Sequence, residues 1–302
     1  SIKNQIIIKE SEVGEFYRLL KQVNKQLNLS LTQNHLNCLF TYFNQFFNTS
    51  NITFDKKGIL LTGTTTKIES RINAANFLKH NQKVYSFGHG YSSIRLFDEP
   101  IFKYGEQWYC STFIDYGQVT IEKSKNSPKI LNRTSGRIQT LKNIGSHELV
   151  KEKFLYVPTS LSSNQTYAPY HNFYDAYYIA WQKQLLDCLS KCNMDFKLKA
   201  HPKSNLDYDF VSEDLIEKKS MDQCFIEYDG FIFDYVSTAL TETLATKNKV
   251  FFFDIDNRKI AKEALLKIRQ DVNYIKIDFN KDLNKQIGQN FDNVKPKRFS
   301  FI

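Results

Sequence analysis

The sequence predicts an α/β protein built from two domains, each an open, doubly wound sheet with helices on its faces. The chain has 302 residues, which suits two domains of about 150 residues each. Short apolar runs that end at glycine, proline or a polar residue alternate with longer segments whose apolar residues recur at helical spacing. Because parallel strands need crossover helices, this alternation favours parallel sheets. We place the boundary near residue 150, which gives domains over residues 1–150 and 151–302.

The first domain contains one clear strand, helix, strand unit. The pattern predicts these elements in chain order: helices over residues 15–27 and 36–47, a strand over 58–63, a helix over 68–80 and a strand over 83–87. Residues 101–120 are rich in aromatic residues, have no clear period and stay open between strands and a loop. Residues 123–150 are rich in serine, asparagine, lysine and glycine, a composition typical of connecting structure.

The second domain repeats the alternation more regularly. The pattern predicts these elements in chain order: a strand over residues 154–157, a helix over 175–192, a strand over 196–200, a helical stretch over 213–223, a strand over 230–234, a helix over 237–246 and a strand over 249–253. Pro158 and Pro202 help to end two of the strands, since proline has no N–H to donate to a sheet. Strands alternating with helices indicate a second doubly wound sheet.

Charge and composition narrow the classes of partner. Forty-one Lys and Arg residues against 32 Asp and Glu give a net charge of +9, which favours anionic partners. The basic residues are spread along the chain and form no continuous stripe, so we expect no nucleic-acid binding. The longest apolar runs, such as residues 250–253, fall far short of the roughly 20 residues of a membrane span. Sugar nucleotides and an acidic membrane surface remain the favoured anions.

The cysteine pattern and the N-terminal residues indicate a cytoplasmic protein. The five cysteines are scattered and include no CxxC pair, which argues against a disulfide framework and against a structural zinc site. The chain starts at Ser1, and its early apolar run over residues 6–8 is too short for a secretory signal. We therefore expect a trimmed chain without a signal peptide, in the cytoplasm or in peripheral contact with the inner face of the plasma membrane.

Ligands of open α/β sheets bind at the carboxyl ends of the strands, so the loops there carry the candidate site residues. His89 follows the strand over residues 83–87 between two glycines, where an imidazole can act as a base or bind phosphate. A glycine-rich turn with a structural histidine explains the same residues equally well. His201 with Pro202 ends another strand, and the proline sets the direction of the histidine or only shapes a turn.

Two hydroxyl-rich segments also follow predicted strands. Ser237 and Thr238 begin a helix that carries Glu242, so they can hold a phosphate at the helix start while Glu242 binds ribose hydroxyls. A plain helix cap with a solvated acid is the alternative. Pro158, Thr159 and Ser160 form a loop that suits phosphate or sugar contacts, or an exposed loop without function.

The order of these motifs resembles that of one family. They occur in the sequence as His89-Gly90, then Leu155-Tyr-Val-Pro158-Thr159, then Lys199-Ala-His201-Pro202, then Asp234-Tyr-Val-Ser237-Thr238-Ala-Leu-Thr-Glu242 followed by Lys249-Val-Phe-Phe-Phe253. Over roughly residues 83 to 256 the chain resembles the GT-B transferases of bacterial surface polysaccharides. Within them it resembles the CDP-glycerol glycerophosphotransferase-like group and the capsule enzymes that use CMP-activated Kdo or sialic acid. Val236, between Tyr235 and the hydroxyl pair, looks more like the CMP-sugar enzymes, and Tyr91-Ser92-Ser93 stands where the glycerophosphotransferase-like group has Thr-Pro.

The resemblance implies a GT-B-like fold, in which two Rossmann-like domains face a central cleft, and a transferase function. The donor phosphate would lie against Ser237, Thr238 and His201. His89 would accept the proton of the acceptor hydroxyl in an inverting reaction, or contact the donor if a carboxylate does the chemistry. For a retaining, double-displacement reaction Asp115 would be the nucleophile. No Asp-x-Asp motif occurs, and such enzymes stabilise the departing phosphate with donors and a helix dipole, so the resemblance implies neither a metal nor a cofactor.

Three functions follow as expectations. The first is transfer from a CMP-activated sugar to a saccharide or lipid-linked glycan acceptor during surface polysaccharide synthesis. The second is transfer of glycerol phosphate or ribitol phosphate from its CDP derivative, with the same histidines. The third is a non-catalytic scaffold with a GT-B-like fold that binds polysaccharide or a protein. In the transferase cases the excess of positive charge would attract the donor and an anionic membrane face.

Overall fold

The protein is α/β, as the sequence predicts, and contains two parallel sheets. The computed structural model describes residues 14–15, 18–19, 22, 25, 32–35, 37–39, 41, 58–63, 65, 67–88, 105–115, 128–133, 135–144, 152–161, 173–202, 208–288 and 291. Contacts divide the chain into two compact units: the first comprises Ser1–Phe87, Tyr104–Phe113 and Ser127–Lys129, and the second comprises Gly88–Lys103, Ile114–Asn126 and Ile130–Ile302. The predicted domain boundary near residue 150 stays a prediction.

The smaller sheet has four strands in the order of the chain. They are β1 (Ile59–Thr62), β2 (Lys83–Phe87), β3 (Thr112–Asp115) and β4 (Lys129–Asn132). Helix α1 (Ile68–Lys79) joins β1 to the parallel β2, which confirms the predicted strand, helix, strand unit. The residues described within 14–25 and 33–41 are helical, in agreement with the two predicted N-terminal helices as far as the structure describes them.

The prediction of connecting structure over residues 123–150 is wrong in part. The segment contains β4 and a helix, α2 (Gly136–Leu141). The N–H of Arg133, just past β4, donates to the carbonyl of Asp115 at 2.8 Å, and α2 buries Ile138 and Leu141 completely. Both elements are too short to show a period, so only their pairing and burial reveal them.

The larger sheet has five parallel strands and lies in the second unit. In chain order its elements are β5 (Lys153–Tyr156), α3 (Asp175–Lys191), β6 (Asp195–Leu198), α4 (Met221–Glu227), β7 (Gly230–Phe233), α5 (Thr238–Ala245), β8 (Lys249–Asp254), α6 (Lys262–Asp271), β9 (Asn273–Lys276) and α7 (Leu283–Gly288). The strands lie in the order β6-β5-β7-β8-β9. Numbered from β5, this is 2-1-3-4-5, one of the two common doubly wound orders.

Helices cover both faces of this sheet because its central strands are apolar on both sides. Alternate residues of β5, β7 and β8 enter two different cores. One core joins Phe231, Phe233 and Phe252 to helices α2, α4, α5 and α6. The other joins Tyr156, Ile232 and the phenylalanines of β8 at 251 and 253 to α3 and α7. The result is a layer of helices, a sheet and a second layer of helices.

Two parts of the second predicted pattern need correction. The helical stretch predicted over residues 213–223 is wrong, because only a 3-10 turn at Glu213–Leu215 and the start of α4 are helical there. Between them Ile216 forms a parallel bridge to Leu198, and Ser220 caps α4 in a capping box with Gln223. The fifth strand β9 and the helices α6 and α7 were not predicted.

Helix α3 is the longest helix whose ends the structure describes, with 17 residues. Its buried side chains recur every three or four residues, from Tyr178 and Trp181 to Leu185 and Leu189, while the opposite side is exposed. Within the part of the chain that the structure describes, no helix combines the length and the apolar character needed to cross a membrane.

Gly230 allows β5 and β7 to pack closely. It is the Cα partner of Phe154, and a Cβ atom at position 230 would lie only 2.5 Å from two carbons of the Phe154 ring. That ring is buried and packs edge to face against Phe251 at 5.8 Å between centroids, so it has little room to move. A side chain at position 230 is therefore excluded sterically.

We expect Gly230→Ala to lower the free energy of unfolding by about 1–3 kcal/mol, because the new methyl group overpacks the core. Gly136→Ala is the matched control, since a Cβ at the start of α2 meets nothing within 4 Å. Urea denaturation of both variants provides the test. Equal changes in the two variants would contradict the packing role of Gly230.

Candidate functional site

The candidate site lies at the carboxyl edge of the five-stranded sheet, where β5 and β7 lie side by side. The chain leaves β5 for α3 in one helix layer and leaves β7 for α5 in the other layer. Loops that separate in this way leave a crevice between them, the usual ligand position in doubly wound sheets. The hydroxyl segments predicted from the sequence, at Thr159 with Ser160 and at Ser237 with Thr238, come from these two loops.

The loop after β5 is packed inward. The N–H of Val157 continues the ladder by donating to Ile232 at 2.9 Å, and the N–H of Thr159 donates to the hydroxyl of Tyr178 at 2.9 Å. Pro158 is buried, and Thr159 and Ser160 are only 6% and 3% exposed. The Thr159 N–H is therefore directed to α3 and not to a ligand.

Asp234, the first residue after β7, holds this edge together. Its carboxylate accepts hydrogen bonds from the hydroxyl of Tyr156 (2.5 Å), the hydroxyl of Tyr178 (2.8 Å) and the indole N–H of Trp181 (2.8 Å). Burial raises the pKa of Asp234 to about 6, although the three hydrogen bonds act to lower it. Sequence reasoning used Asp234 only as part of a motif and missed this role.

Ser237 is the N-cap of α5. Its backbone is extended, and its hydroxyl oxygen accepts a hydrogen bond from the N–H of Leu240 at 3.2 Å. Thr238 is the exposed first residue of the helix. The N–H groups of Thr238 and Ala239 have no acceptor within the helix, and with the helix dipole they favour an anion at this position. Because the Ser237 oxygen already accepts the N–H of Leu240, the N–H groups of Thr238 and Ala239 are better placed to donate hydrogen bonds to a phosphate.

The sequence left open whether Glu242 is a solvated acid, and the structure shows that it is not. It is partly buried, and both of its oxygens bind the guanidinium of Arg137, at 3.2 and 3.3 Å. Arg137 also pairs with Asp222, so one side chain of α2 joins α4 and α5. These two carboxylates hold the pKa of Arg137 well above its ordinary value. Contact between Glu242 and a ribose stays a prediction. Such a contact would have to form while both Glu242 oxygens bind Arg137.

Four candidates remain: His201, Pro202, His89 and Asp115. His201 is half-buried and Pro202 is exposed, just beyond β6 at the same edge of the five-stranded sheet. His89 lies outside the described residues, although the preceding Gly88 donates its N–H to the carbonyl of Ile114 at 3.0 Å. Asp115 ends β3 and is only 3% exposed, so a nucleophilic role would require that strand end to open.

Arg258 is a residue that sequence reasoning missed. It lies in the loop after β8, and its guanidinium bonds the hydroxyl of Tyr235 in the loop after β7. Nothing in the local sequence pattern reveals this contact, because it depends on β7 and β8 being neighbours. Around the described residues, no group of three or more histidine, cysteine, aspartate and glutamate side chains is placed to hold a metal ion. The described cations and N–H groups at this edge can bind an anion electrostatically.

We expect the buried carboxyl of Asp234 to make stability depend on pH. The folded pKa of about 6 exceeds the ordinary 3.8, so the protonated form is favoured by folding, fully below pH 4, and this stabilisation is lost as the pH rises through 6. Relative to Asp234→Asn, the wild type should lose about 2 kcal/mol of unfolding free energy between pH 4 and pH 7.

Urea denaturation at several pH values measures this difference. Asp209→Asn, which removes an exposed carboxylate of the same unit, is the control for the loss of one charge. A constant difference between wild type and Asp234→Asn across the range would show that the carboxyl does not titrate in this way.

Comparison with known proteins assigns neither a family nor a function to the chain. No family model matches the chain, and no curated protein matches it either. Functional inference therefore rests on the residues at the carboxyl edge: the Asp234 cluster, the start of α5 and the cation of Arg258.

Proposed function

We propose that the chain is a transferase of bacterial surface polysaccharide synthesis that uses a CMP-activated sugar and has a GT-B-like architecture. The observation that carries the proposal is the divergence of the chain after β5 and β7, with the first turn of α5 at that point. This geometry favours a phosphate-bearing ligand at the carboxyl edge. The ordered motifs from His89 to Glu242 supply the nucleotide and reaction class by resemblance.

In the proposed reaction the acceptor hydroxyl attacks the anomeric carbon of the donor sugar. The new bond joins the acceptor oxygen to that carbon, the bond from the carbon to the phosphate oxygen breaks, and CMP leaves. His89 takes the proton of the hydroxyl, as the resemblance implies. The start of α5 and His201 stabilise the charge that develops on the phosphate, so the leaving group needs no metal ion.

Partners follow from the same chemistry. The acceptor is a saccharide or a lipid-linked glycan. The net charge of +9 favours approach of the anionic donor and peripheral contact with an anionic membrane face. No nucleic acid and no cofactor enter the proposal.

We expect CMP and CDP to raise the melting temperature of the chain, and UDP and GDP to leave it unchanged. A ligand at about 100 times its Kd stabilises the folded state by about 2.7 kcal/mol, which corresponds to a shift of several degrees. A thermal-shift series with the four nucleotides measures this. A shift with UDP or GDP alone would contradict the cytidine assignment.

Two serine variants make the position of the site testable. Ser237 and Ser220 both cap a helix by accepting an N–H three residues on, but only Ser237 lies beside the proposed phosphate. Both Ser237→Ala and Ser220→Ala should lower the melting temperature, because each removes a helix cap. Ser237→Ala should also reduce the nucleotide shift, because it loosens the first turn of α5 whose N–H groups would bind the phosphate, whereas Ser220→Ala should keep the shift. Nucleotide binding that is unaffected by Ser237→Ala and by His201→Ala would favour a non-catalytic scaffold.

The CMP-sugar and CDP-glycerol classes of donor can be distinguished by measuring which donor the protein consumes. CMP leaves in both reactions, so the measurement must follow the donor itself. Incubation with CMP-Kdo or CMP-sialic acid and a glycan acceptor should consume the CMP-sugar. Consumption of CDP-glycerol alone would replace the proposal with transfer of glycerol phosphate.

A further inference from the structure

The loop after β8 brings a guanidinium to the carboxyl edge of the sheet. Strands β7 and β8 are parallel neighbours, so the loops that follow them meet at the same edge. Arg258 donates a hydrogen bond to the hydroxyl of Tyr235, and its guanidinium carbon lies 5.6 Å from the centre of the tyrosine ring. Tyr235 is two residues before the Ser237 cap, so Arg258 contacts the loop that leads into α5.

The backbone of this loop is fixed before any ligand arrives. Asp256 adopts the left-handed conformation (φ 61°), and its N–H donates to the carboxylate of Asp254 at 3.0 Å. Buried Asn257 accepts a hydrogen bond from the N–H of Phe173 at 3.1 Å, which ties the loop to the segment before α3. Arg258 therefore projects from an ordered turn, and a ligand would not have to order it.

The charges around the loop are compatible with an anion. Two carboxylates precede Arg258, Asp254 at the end of β8 and Asp256 in the loop. The ammonium of Lys276 lies 3.2 Å from an oxygen of Asp254 and 3.6 Å from one of Asp256, and the hydroxyl of Tyr274 also donates to Asp254. Lys276 of β9 thus partly neutralises the negative charge of the two carboxylates. Arg258 instead contacts Tyr235 in the loop after β7.

We propose that Arg258 binds the phosphate oxygens of the nucleotide, with Tyr235 holding the guanidinium in position. The inference rests on the proposed function of this edge and adds the residue that supplies the positive charge. A guanidinium presents N–H donors in a planar fork that suits phosphate. Lysine has neither the fork nor the tendency to stack on a ring, so it would be a poor replacement.

A second arginine provides a matched control. Arg269 on α6 also has its guanidinium over a tyrosine ring, 4.9 Å from the centre of Tyr274, and hydrogen-bonds that hydroxyl at 3.4 Å. It belongs to a helix and not to a loop at the carboxyl edge. Arg258→Ala and Arg269→Ala remove the same charge and the same kind of pair, so their difference isolates the position of Arg258.

Isothermal titration calorimetry with CMP, CDP and inorganic pyrophosphate tests the inference. We expect Arg258→Ala to weaken binding of CDP and pyrophosphate by about 10- to 100-fold, the usual effect of losing a charged hydrogen-bond donor. Arg258→Lys should recover only part of this loss, and Tyr235→Phe should weaken binding several-fold because the anchor is lost. Arg269→Ala should bind as the wild type does, and circular dichroism checks that each variant is folded.

The outcomes separate this inference from the proposed function. Nucleotide binding that Arg258→Ala leaves unchanged, or that Arg269→Ala weakens equally, overturns the role of Arg258 and leaves the proposed function standing. Binding of pyrophosphate that depends on Arg258, with no preference for cytidine nucleotides, supports Arg258 and overturns the cytidine assignment. A folded wild type that binds none of the three probes overturns both. If Arg258→Ala does not fold, Arg258→Lys provides the test instead. Wild-type affinity of the Arg258→Lys variant would contradict the need for a guanidinium.

Discussion

The hydrogen bonds to the buried side chain of Asp234 hold together the edge of the sheet at which β5 and β7 end. A carboxylate removed from water is costly unless hydrogen-bond donors compensate it, and here Tyr156, Tyr178 and Trp181 supply three. The donors come from β5 and α3, whereas Asp234 follows β7, so the cluster joins two strands and a helix at the point where the chain diverges. Through Tyr178 it also fixes the N–H of Thr159 and hence the loop after β5.

The candidate site follows from the strand order and from this cluster together. The order β6-β5-β7-β8-β9 places β5 and β7 side by side, and the loops after these two strands lead to opposite helix layers. The Asp234 cluster fixes the loop after β5 through Tyr178. The start of α5 then presents N–H groups, and Arg258 comes in from the neighbouring loop on its Tyr235 anchor. A helix dipole and a guanidinium both favour an anion, and this is the electrostatic basis of the proposed phosphate site.

Local patterns predict much of the second unit, because its strands are apolar on both faces and its turns carry glycine, proline or a serine cap. The segment from Gly230 to Asp254 is the clearest example: an apolar strand, a serine-capped helix and a second apolar strand are visible in the sequence and present in the structure. The short β4 and α2 could not be predicted, since β4 has only two apolar residues and buries none of its residues, and the six residues of α2 show no helical period. The sequence predicts candidate residues at the carboxyl edge but not the contacts around them. The Asp234 donors lie 53 to 78 residues away, and the Arg258 contact requires the order of the strands. Ser220 and Gln223 did carry a readable helix-start signal, which would have corrected the helix over residues 213–223.

Amide hydrogen exchange at Thr159 tests the Asp234 cluster most directly. Tyr178→Phe and Tyr156→Phe each remove one hydroxyl from Asp234, but only Tyr178 also accepts the Thr159 N–H. The Thr159 amide should therefore exchange at least about 5-fold faster in Tyr178→Phe than in Tyr156→Phe, as expected for the loss of one buried hydrogen bond. Equal exchange in the two variants, at equal global stability, would contradict the claim that Asp234 positions this loop through Tyr178.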